Sequence, residues 1–420
     1  MLLLQLYCKN LTLCFIEEPS VLSSLPKSVR QYLLVTFNYW NFTVTDGALR
    51  MLVVLYFYDL GYGAFAIASL FLFYEFFGVV TNLLGGWLGA RIGLNRTMNI
   101  GLLLQVVALL MLTVPPDWLV MAWVMLAQAL SGIAKDLNKM SAKSAIKTLV
   151  PSDQQGKLYQ WVALLTGSKN ALKGAGFFVG GLLLHYLGFQ LAVLTMAAVL
   201  LLVFIGSVLS LDASLGKAKS KPKFNELFAK SRSINILSLA RMCLFGARDI
   251  WFVVALPVYL ASVFDWSHSQ VGGFLALWII GYGVVQGFAP YFTGKRRGVV
   301  PSGSAAVLWA GLLTLVTAAI ALSVQIEWQS EYVIVLGLLV FGAVFAINSS
   351  LHSYLIVSYA QEDGASLDVG FYYMANAMGR LIGTILSGWL FQTMGFVACL
   401  WASAIFLLVT TIVSLALPQR

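Results

Sequence analysis

The sequence predicts an all-α polytopic membrane protein with twelve transmembrane helices in two six-helix bundles. Of its 420 residues, 60% are apolar and only 10% are charged, whereas about 25% of the residues of a soluble domain are charged. Apolar stretches of about 20 residues, long enough to cross the hydrocarbon core of a bilayer, recur along nearly the whole chain. One long polar and basic segment, 212–233, divides these stretches six to six.

The predicted spans set the domain organisation. Residues 29–211 form the predicted N-terminal bundle, 212–233 a linker and 234–420 the C-terminal bundle. Residues 1–28 are a predicted extension, whose apolar part is too short to span a membrane and lacks a signal-peptide cleavage site. The spans are 31–58, 63–89, 97–114, 118–140, 158–185, 189–211, 234–262, 268–290, 303–325, 331–358, 369–392 and 397–417.

Lysine and arginine are distributed unevenly between the connections. The connections at 59–63, 115–117, 186–188, 265–268, 326–331 and 393–396 hold none of them. The alternate connections hold nearly all, including five lysines between Lys135 and Lys157 and six basic residues in 217–232. Because basic loops stay in the cytoplasm, this pattern predicts that both termini are cytoplasmic.

The segment GGWLGARIGLNR, at 85–96 between the second and third spans, resembles the loop motif of the major facilitator superfamily. The matching residues are Gly86, Leu88, Arg91, Gly93 and Arg96. The resemblance implies a gating loop here and a transport cavity between two bundles. Ala90 stands where that family usually has Asp, so the charge latch attributed to the Asp is in doubt for this chain.

A narrower resemblance covers nearly all of the chain after the extension. The segments 29–55, 132–151, 167–178, 245–260 and 348–360 are similar to the ArsJ organoarsenical efflux permeases of bacterial arsenate-resistance operons. The resemblance implies export of 1-arseno-3-phosphoglycerate across the bacterial inner (plasma) membrane, which confers arsenate resistance. It also implies functional coupling to glyceraldehyde-3-phosphate dehydrogenase, which makes this ester when it accepts arsenate in place of phosphate.

Eight charged residues fall near the middle of predicted spans, where ionisable groups are costly and are functional candidates. Five are cations and three are anions, and a surplus of positive charge favours an anionic substrate whose oxygens arginine can bind bidentately. The candidate substrate-binding residues are Arg50, Lys169, Lys173, Arg248 and Arg380. The candidate proton-coupling residues or counter-ions are Asp46, Glu75 and Asp249.

Several of these residues have a second, purely structural interpretation. Asp46 and Arg50 are four residues apart and would form a salt bridge along one helix face. Glu75 would either carry a proton or neutralise Arg50. Arg248 and Asp249 point about 100° apart and are not expected to pair, which leaves Asp249 as a counter-ion for a lysine.

Other polar residues are also open to two interpretations. Arg380 suits helix packing as well as it suits substrate binding. Lys135, Lys139, Lys143 and Lys147 step by four along one helix, which favours a stripe facing solvent or lipid headgroups, with an anion-collecting entrance as the alternative. His352 lies in a polar cluster that favours packing between helices over a proton relay.

Other function classes lack their sequence signatures. The chain has no HExxH or GxSxG motif and no GxxxxGK[ST] loop, so an intramembrane enzyme and an ATP-driven pump are disfavoured. The cysteines and histidines show no metal-binding spacing, and neither a cofactor nor nucleic acid is expected. The expected partners are a small anionic substrate and the lipid bilayer, with the protein as a monomer. Transport of another organic phosphate, a sugar or a drug is the alternative function.

Overall fold

A computed structural model describes residues 27–62, 67, 69–149, 155–212, 215–217, 230–266, 268–294, 300–328, 330–362 and 365–418. Within these ranges all regular structure is helical, as predicted. The predicted extension lies almost entirely outside the described residues, as do most of the linker and the basic residues at 295–297.

Ten long helical stretches form the fold, and two of them are broken at a glycine. The first four are α1 (Lys27–Asp59), α2 (Leu72–Ile92), α3 (Leu94–Met111) and α4 (Met121–Leu149). Gln155–Ser210 comprises α5 and α6, and α7 is Arg232–Phe252 continued by Ala255–Val263. The others are α8 (His268–Phe292), α9 (Gly303–Gln325), α10 (Ser330–Tyr359), and α11 and α12, which together form Ala365–Ser414.

The two breaks are at Gly188 and Gly395, where the chain reverses. Their φ angles of 71° and 82° are in the region that favours glycine. An unbroken 56-residue helix would be about 84 Å long, far more than a bilayer core of about 30 Å. Gln31 near the start of α1 donates a hydrogen bond to the carbonyl of Ser210, so α6 returns to the end where α1 began. Divided at these two glycines, the ten described stretches give twelve helical segments, the predicted number.

Three helix boundaries differ from the prediction. A turn at Leu70 and Phe71 precedes α2, so Glu75 lies in the first turn of a helix rather than in the middle of a span. The helix α4 continues to Leu149, nine residues beyond its predicted end, because its lysines are covered by neighbouring helices. The helix α7 is interrupted at Val253 and Val254.

In the part of the chain that the structure describes, seven helices, counting each broken one once, are long and apolar enough to cross a membrane by length and composition. The helices α1, α2 and α4 do not meet this simple criterion because polar and charged residues interrupt their apolar runs. These three helices carry much of the candidate site. The protein is a multi-pass membrane protein.

Glycines allow the helices to approach closely. A Cβ on Gly180 would lie 2.3 Å from the carbonyl oxygen of Ala48, so α5 packs directly on the backbone of α1. A Cβ on Gly167 would lie 2.6 Å from the carbonyl oxygen of Gly283, which joins α5 to α8 across the two halves. Such small-residue contacts are typical of helix packing in membranes.

The two halves meet mainly at one end of the molecule. We call this the inner end; it holds the start of α1, the end of α4 and the starts of α5 and α11. There Gln155 accepts hydrogen bonds from the hydroxyls of Tyr354 and Ser358, and Ser366 donates one to the carbonyl of Gly86. In the middle of the fold, the halves are also joined by the contact between Glu75 and Arg380 and by the hydrogen bond that Asn170 on α5 donates to Gln286 on α8.

Candidate functional site

Five charged side chains form a continuous chain of ion pairs in the middle of the fold, which we call the ion chain. Glu75 Oε1 lies 3.2 Å from both Arg50 Nη2 and Arg380 Nη2. Arg380 Nε lies 3.1 Å from Asp249 Oδ2, and Asp249 Oδ1 lies 2.5 Å from Arg248 Nη2. The order along the chain is Arg50, Glu75, Arg380, Asp249, Arg248.

The ion chain connects the two halves of the molecule. Arg50 and Glu75 belong to α1 and α2, whereas Arg248 and Asp249 belong to α7 and Arg380 to α11. Within the ion chain, the contact between Glu75 and Arg380 is therefore the step that crosses from one half to the other. Five of the eight predicted site residues meet here, although they come from four helices.

The ion chain has three arginines and only two carboxylates. The side chains of Arg50, Glu75 and Arg380 are 28%, 33% and 33% exposed, so they reach the space between the halves, while Asp249 is buried. An arginine fork binds carboxylate or phosphate oxygens in the same way. An oxyanion that enters this space can therefore replace Glu75 on Arg50 or Arg380.

Two predictions about Asp249 are wrong: that it does not pair with Arg248, and that it is the counter-ion of a lysine. Arg248 does bind Asp249: its Nε donates a hydrogen bond of 2.6 Å to Asp249 Oδ1. The long arginine side chain folds back along the helix, so the 100° between the two positions does not separate the charged groups. Asp249 is consequently the counter-ion of two arginines and not of a lysine.

Asp46 does not use Arg50 as its partner. Asp46 Oδ1 accepts a hydrogen bond of 2.6 Å from the hydroxyl of Tyr74, and Asp46 Oδ2 lies 4.0 Å from Lys173 Nζ. Arg50 instead lies between the rings of Phe71 and Tyr74 and pairs with Glu75. Of the two interpretations of Glu75, these contacts favour the counter-charge.

The lysines of α4 face the inside of the protein, so the predicted headgroup-facing stripe is wrong. Lys139 pairs with Asp136 on the same helix, and Lys135 Nζ lies 3.8 Å from the same carboxylate. Lys135 also lies over the ring of Tyr74, which places it beside the ion chain. The sequence analysis did not select Asp136 as a site residue, because it lies among lysines that were assigned to the surface.

Two further buried cations lie toward the inner end. Lys143 donates hydrogen bonds to the hydroxyls of Tyr373 and Thr166. Arg241 donates to Asn376 Oδ1 at 2.9 Å and to the carbonyl of Ser349 at 3.0 Å. Arg241 was also missed by the sequence analysis, since nothing in its surroundings on α7 distinguishes it from an arginine near a helix end.

The loop motif places glycines where helices nearly touch. A Cβ on Gly86 would lie 2.4 Å from the carbonyl oxygen of Ser366 at the start of α11. Gly93, with φ of 106°, separates α2 from α3. Arg91 and Arg96 are exposed at the inner end, and Arg91 lies 5.0 Å from the ring of Trp87. Hydrogen bonding and shape, rather than an Asp at position 90, join α2 to α11 here.

His352 is fully buried in α10, within the polar cluster that the sequence predicted. Neither ring nitrogen has a hydrogen-bond partner among the described residues. Those residues contain no group of three or more His, Cys, Asp or Glu side chains suited to hold a metal ion.

Comparisons with known proteins identify the fold. The family model described as Major Facilitator Superfamily matches residues 32–367 and 237–420. No curated protein sequence matches the chain at a significant level.

Solved structures share the architecture at low sequence identity. A bacterial homologue of the iron transporter ferroportin, in its outward-facing state, is 16% identical with a TM-score of 0.71, and the match covers 92% of this chain and 98% of that one. The human organic anion transporter MFSD10 is 17% identical with a TM-score of 0.74, covering 93% and 100%. The E. coli fucose:proton symporter FucP is 14% identical with a TM-score of 0.73, covering 94% and 100%.

Proposed function

The chain belongs to the Major Facilitator Superfamily, and we propose that this secondary transporter exports a small organic anion. The observation that carries the proposal is the ion chain. It places three arginines against two carboxylates in the space between the halves. Buried and partly buried cations on both halves suit a cargo with two or more negative charges.

Among anions, we propose 1-arseno-3-phosphoglycerate, whose export confers arsenate resistance. This choice rests on the resemblance to the ArsJ permeases. The segments that carry the resemblance also carry the charged residues of the site. The segment 29–55 contains Arg50, 132–151 contains the α4 lysines and 245–260 contains Arg248 and Asp249. The solved structures, which differ among themselves in what they transport, support the fold alone.

The cellular setting belongs to the same proposal. We place the protein in the bacterial inner membrane as a monomer, with both termini and the inner end in the cytoplasm. Glyceraldehyde-3-phosphate dehydrogenase would supply the cargo. With this orientation the contacts at the inner end separate the ion chain from the cytoplasm.

Everted membrane vesicles test the substrate directly. Vesicles that contain the protein should accumulate labelled arsenate only when glyceraldehyde-3-phosphate dehydrogenase and its substrates are also supplied. Vesicles without the protein, and vesicles without the dehydrogenase, are the controls. If labelled organic phosphates accumulate while arsenate does not, the alternative, a transporter for another organic phosphate, is correct. If neither label accumulates, anion export is wrong.

A further inference from the structure

Lys143, Lys169 and Arg241 are cations deep among the described helices, and no carboxylate of the described residues lies within ion-pair distance of them. Lys143 and Arg241 are 4% and 3% exposed, and Lys169 is half-buried in the middle of α5. Most other cations between the halves pair with a carboxylate: Lys135 and Lys139 with Asp136, Lys173 with Asp46, and the three arginines of the ion chain with Glu75 and Asp249. Lys147, nearer the inner end, donates a hydrogen bond to the carbonyl of Ser358. Isolated charges at membrane depth are costly, so the three unpaired cations require an explanation.

The three cations surround one place. Lys143 Nζ lies 4.7 Å from the centre of the Tyr373 ring, and the guanidinium of Arg241 lies 5.3 Å from the centre of the Tyr372 ring. The two tyrosine rings are in edge-to-face contact at 4.9 Å. Lys143 is within electrostatic range of Arg241.

Lys169 completes the group from α5. Thr166, whose hydroxyl accepts a hydrogen bond from Lys143, precedes Lys169 by three residues, so the two side chains share a face of α5. Cations from both halves, on α4, α5 and α7, therefore converge beside Tyr373.

This place is separate from the ion chain. Arg241 precedes Arg248 by seven residues on α7, and Tyr373 precedes Arg380 by seven residues on α11. At 1.5 Å per residue, each step is about 10 Å toward the inner end. Two tiers of positive charge thus lie along the path between the halves. Lys139, also 4.9 Å from the centre of the Tyr373 ring, brings Asp136 to the inner tier as its own counter-ion, whereas Lys143, Lys169 and Arg241 have no carboxylate partner among the described residues.

In this structure the hydrogen-bond acceptors of the inner tier are neutral groups. The Tyr373 hydroxyl accepts a hydrogen bond from Lys143, and the Asn376 amide oxygen accepts one from Arg241. The contact between Lys143 and Tyr373 joins α4 to α11 and hence one half to the other. When the halves rock apart at the inner end, as alternating access requires, this contact breaks and Lys143 loses its partner.

We propose that Lys143, Lys169 and Arg241 form a second oxyanion subsite, the inner subsite, which is occupied when the inner end is open. Its ligand is a phosphoryl, arsenyl or carboxylate group. That group is either the second charged end of the molecule held by the ion chain or a separate inorganic oxyanion. The proposal rests on the proposed function, because it assigns a second contact to the same anionic cargo.

Two anions test the inner subsite in the purified, full-length protein. Inorganic phosphate offers one charged group, and 3-phosphoglycerate offers a phosphate and a carboxylate on one three-carbon frame. Thermal-shift titrations should give an affinity for 3-phosphoglycerate about tenfold higher than for phosphate, which corresponds to about 1.4 kcal/mol. Lys143→Gln and Arg241→Gln should each remove this preference while the protein still binds phosphate.

Two further variants serve as controls, one for the loss of any lysine on α4 and one for poor folding. Lys147→Gln removes a lysine one turn further along α4, whose partner is the carbonyl of Ser358, and it should keep the preference. Arg241→Lys keeps the charge, so it should retain part of the preference even if Arg241→Gln folds poorly.

The results distinguish the two possible ligands of the inner subsite, a second charged group of one molecule and a separate oxyanion. They also distinguish failure of the inner subsite from failure of the proposed anion export. If the wild-type protein binds two phosphates and Lys143→Gln binds one, a free oxyanion occupies the inner subsite; if only the preference is lost, the second group of one molecule does. A wild-type protein without a preference or a second phosphate overturns the inner subsite, and so does a preference that persists in both Lys143→Gln and Arg241→Gln. A wild-type protein that binds neither anion overturns anion export as well.

Discussion

The middle of the molecule and its inner end join the same two halves by different physical means. In the middle, the halves are linked by charged groups that are about a third exposed, Glu75 and Arg380. At the inner end, they are linked by close backbone contacts and hydrogen bonds, such as the contact of Gly86 with Ser366. Charged partners can be exchanged for a charged ligand, whereas close packing can only form or separate. The comparison favours the ion chain as the place where the proposed anion binds and the inner end as the place where the proposed conformational closure occurs.

The largest effect is expected for Arg380→Gln, which removes the residue that joins the two carboxylates of the ion chain. Asp249, which is buried, would lose one of its two arginines, and the loss of a charged partner from a buried pair costs about 2–5 kcal/mol. The loss at Glu75, which is about a third exposed, is smaller. We expect transport to fall at least 30-fold in everted vesicles. Arg91→Gln, which removes an exposed arginine outside the ion chain, is the matched control and should stay within about twofold of wild type. Transport by Arg380→Gln at the level of that control would contradict the role of the ion chain.

This arrangement was only partly predictable from the sequence. The number of spans follows from hydropathy, because every polar backbone group in a bilayer must be satisfied within its own helix. The presence of Arg50, Arg248 and Arg380 at membrane depth follows from the same pattern. Which carboxylate each arginine pairs with cannot be predicted in this way. The pairing depends on how each of the twelve helices is rotated about its own axis, and on side chains long enough to contact a residue one helical turn away.

The errors have the same origin. The sequence suggested that Arg248 and Asp249 diverge, but a long, flexible side chain is not confined to the direction of its Cα–Cβ bond. The lysines of α4 were assigned to the surface because their spacing matches a solvated helix face. Only the packing of α4 against α2, α5 and α11 shows that this face, with Asp136, points inward.

A smaller effect, about tenfold, is expected for Glu75→Gln. The amide keeps the shape but removes the charge that Arg50 and Arg380 share, so the two arginines repel each other and the site loses its order. Glu75 is the counter-charge of two arginines. We therefore expect the loss of transport to be the same at every pH between about 5.5 and 8, the range in which histidine usually titrates. Glu331→Gln, at a carboxylate whose partner is Trp266, is the control. A flattened pH profile in Glu75→Gln would instead assign proton coupling to this residue.

The inner end is tested by Gly86→Ala. The added Cβ would lie 2.4 Å from the carbonyl oxygen of Ser366, and overpacking of this kind costs about 1–3 kcal/mol. We expect the closed inner end to become less populated, so that a cysteine introduced at Ala365 is labelled several-fold faster. Gly388→Ala, where the Cβ meets no atom within 4 Å, should leave the rate unchanged. Equal rates in the two variants would show that close packing does not hold the inner end together.

The smallest effect is expected for Tyr373→Phe, which lies between the two regions. The substitution removes the hydroxyl that accepts a hydrogen bond from Lys143 and keeps the aromatic ring. A hydrogen bond to a charged group contributes about 1.5–3 kcal/mol, but the Thr166 hydroxyl remains as a partner for Lys143, so we expect a shift of less than about tenfold toward the open inner end. Because Lys143 is then available to an anion without first leaving the tyrosine, the affinity for 3-phosphoglycerate should rise while transport slows. Tyr354→Phe, which removes a hydroxyl bonded to Gln155 at the same end, should loosen the inner end without raising that affinity. A rise in both variants would mean that opening alone strengthens binding and that Lys143 contributes nothing specific.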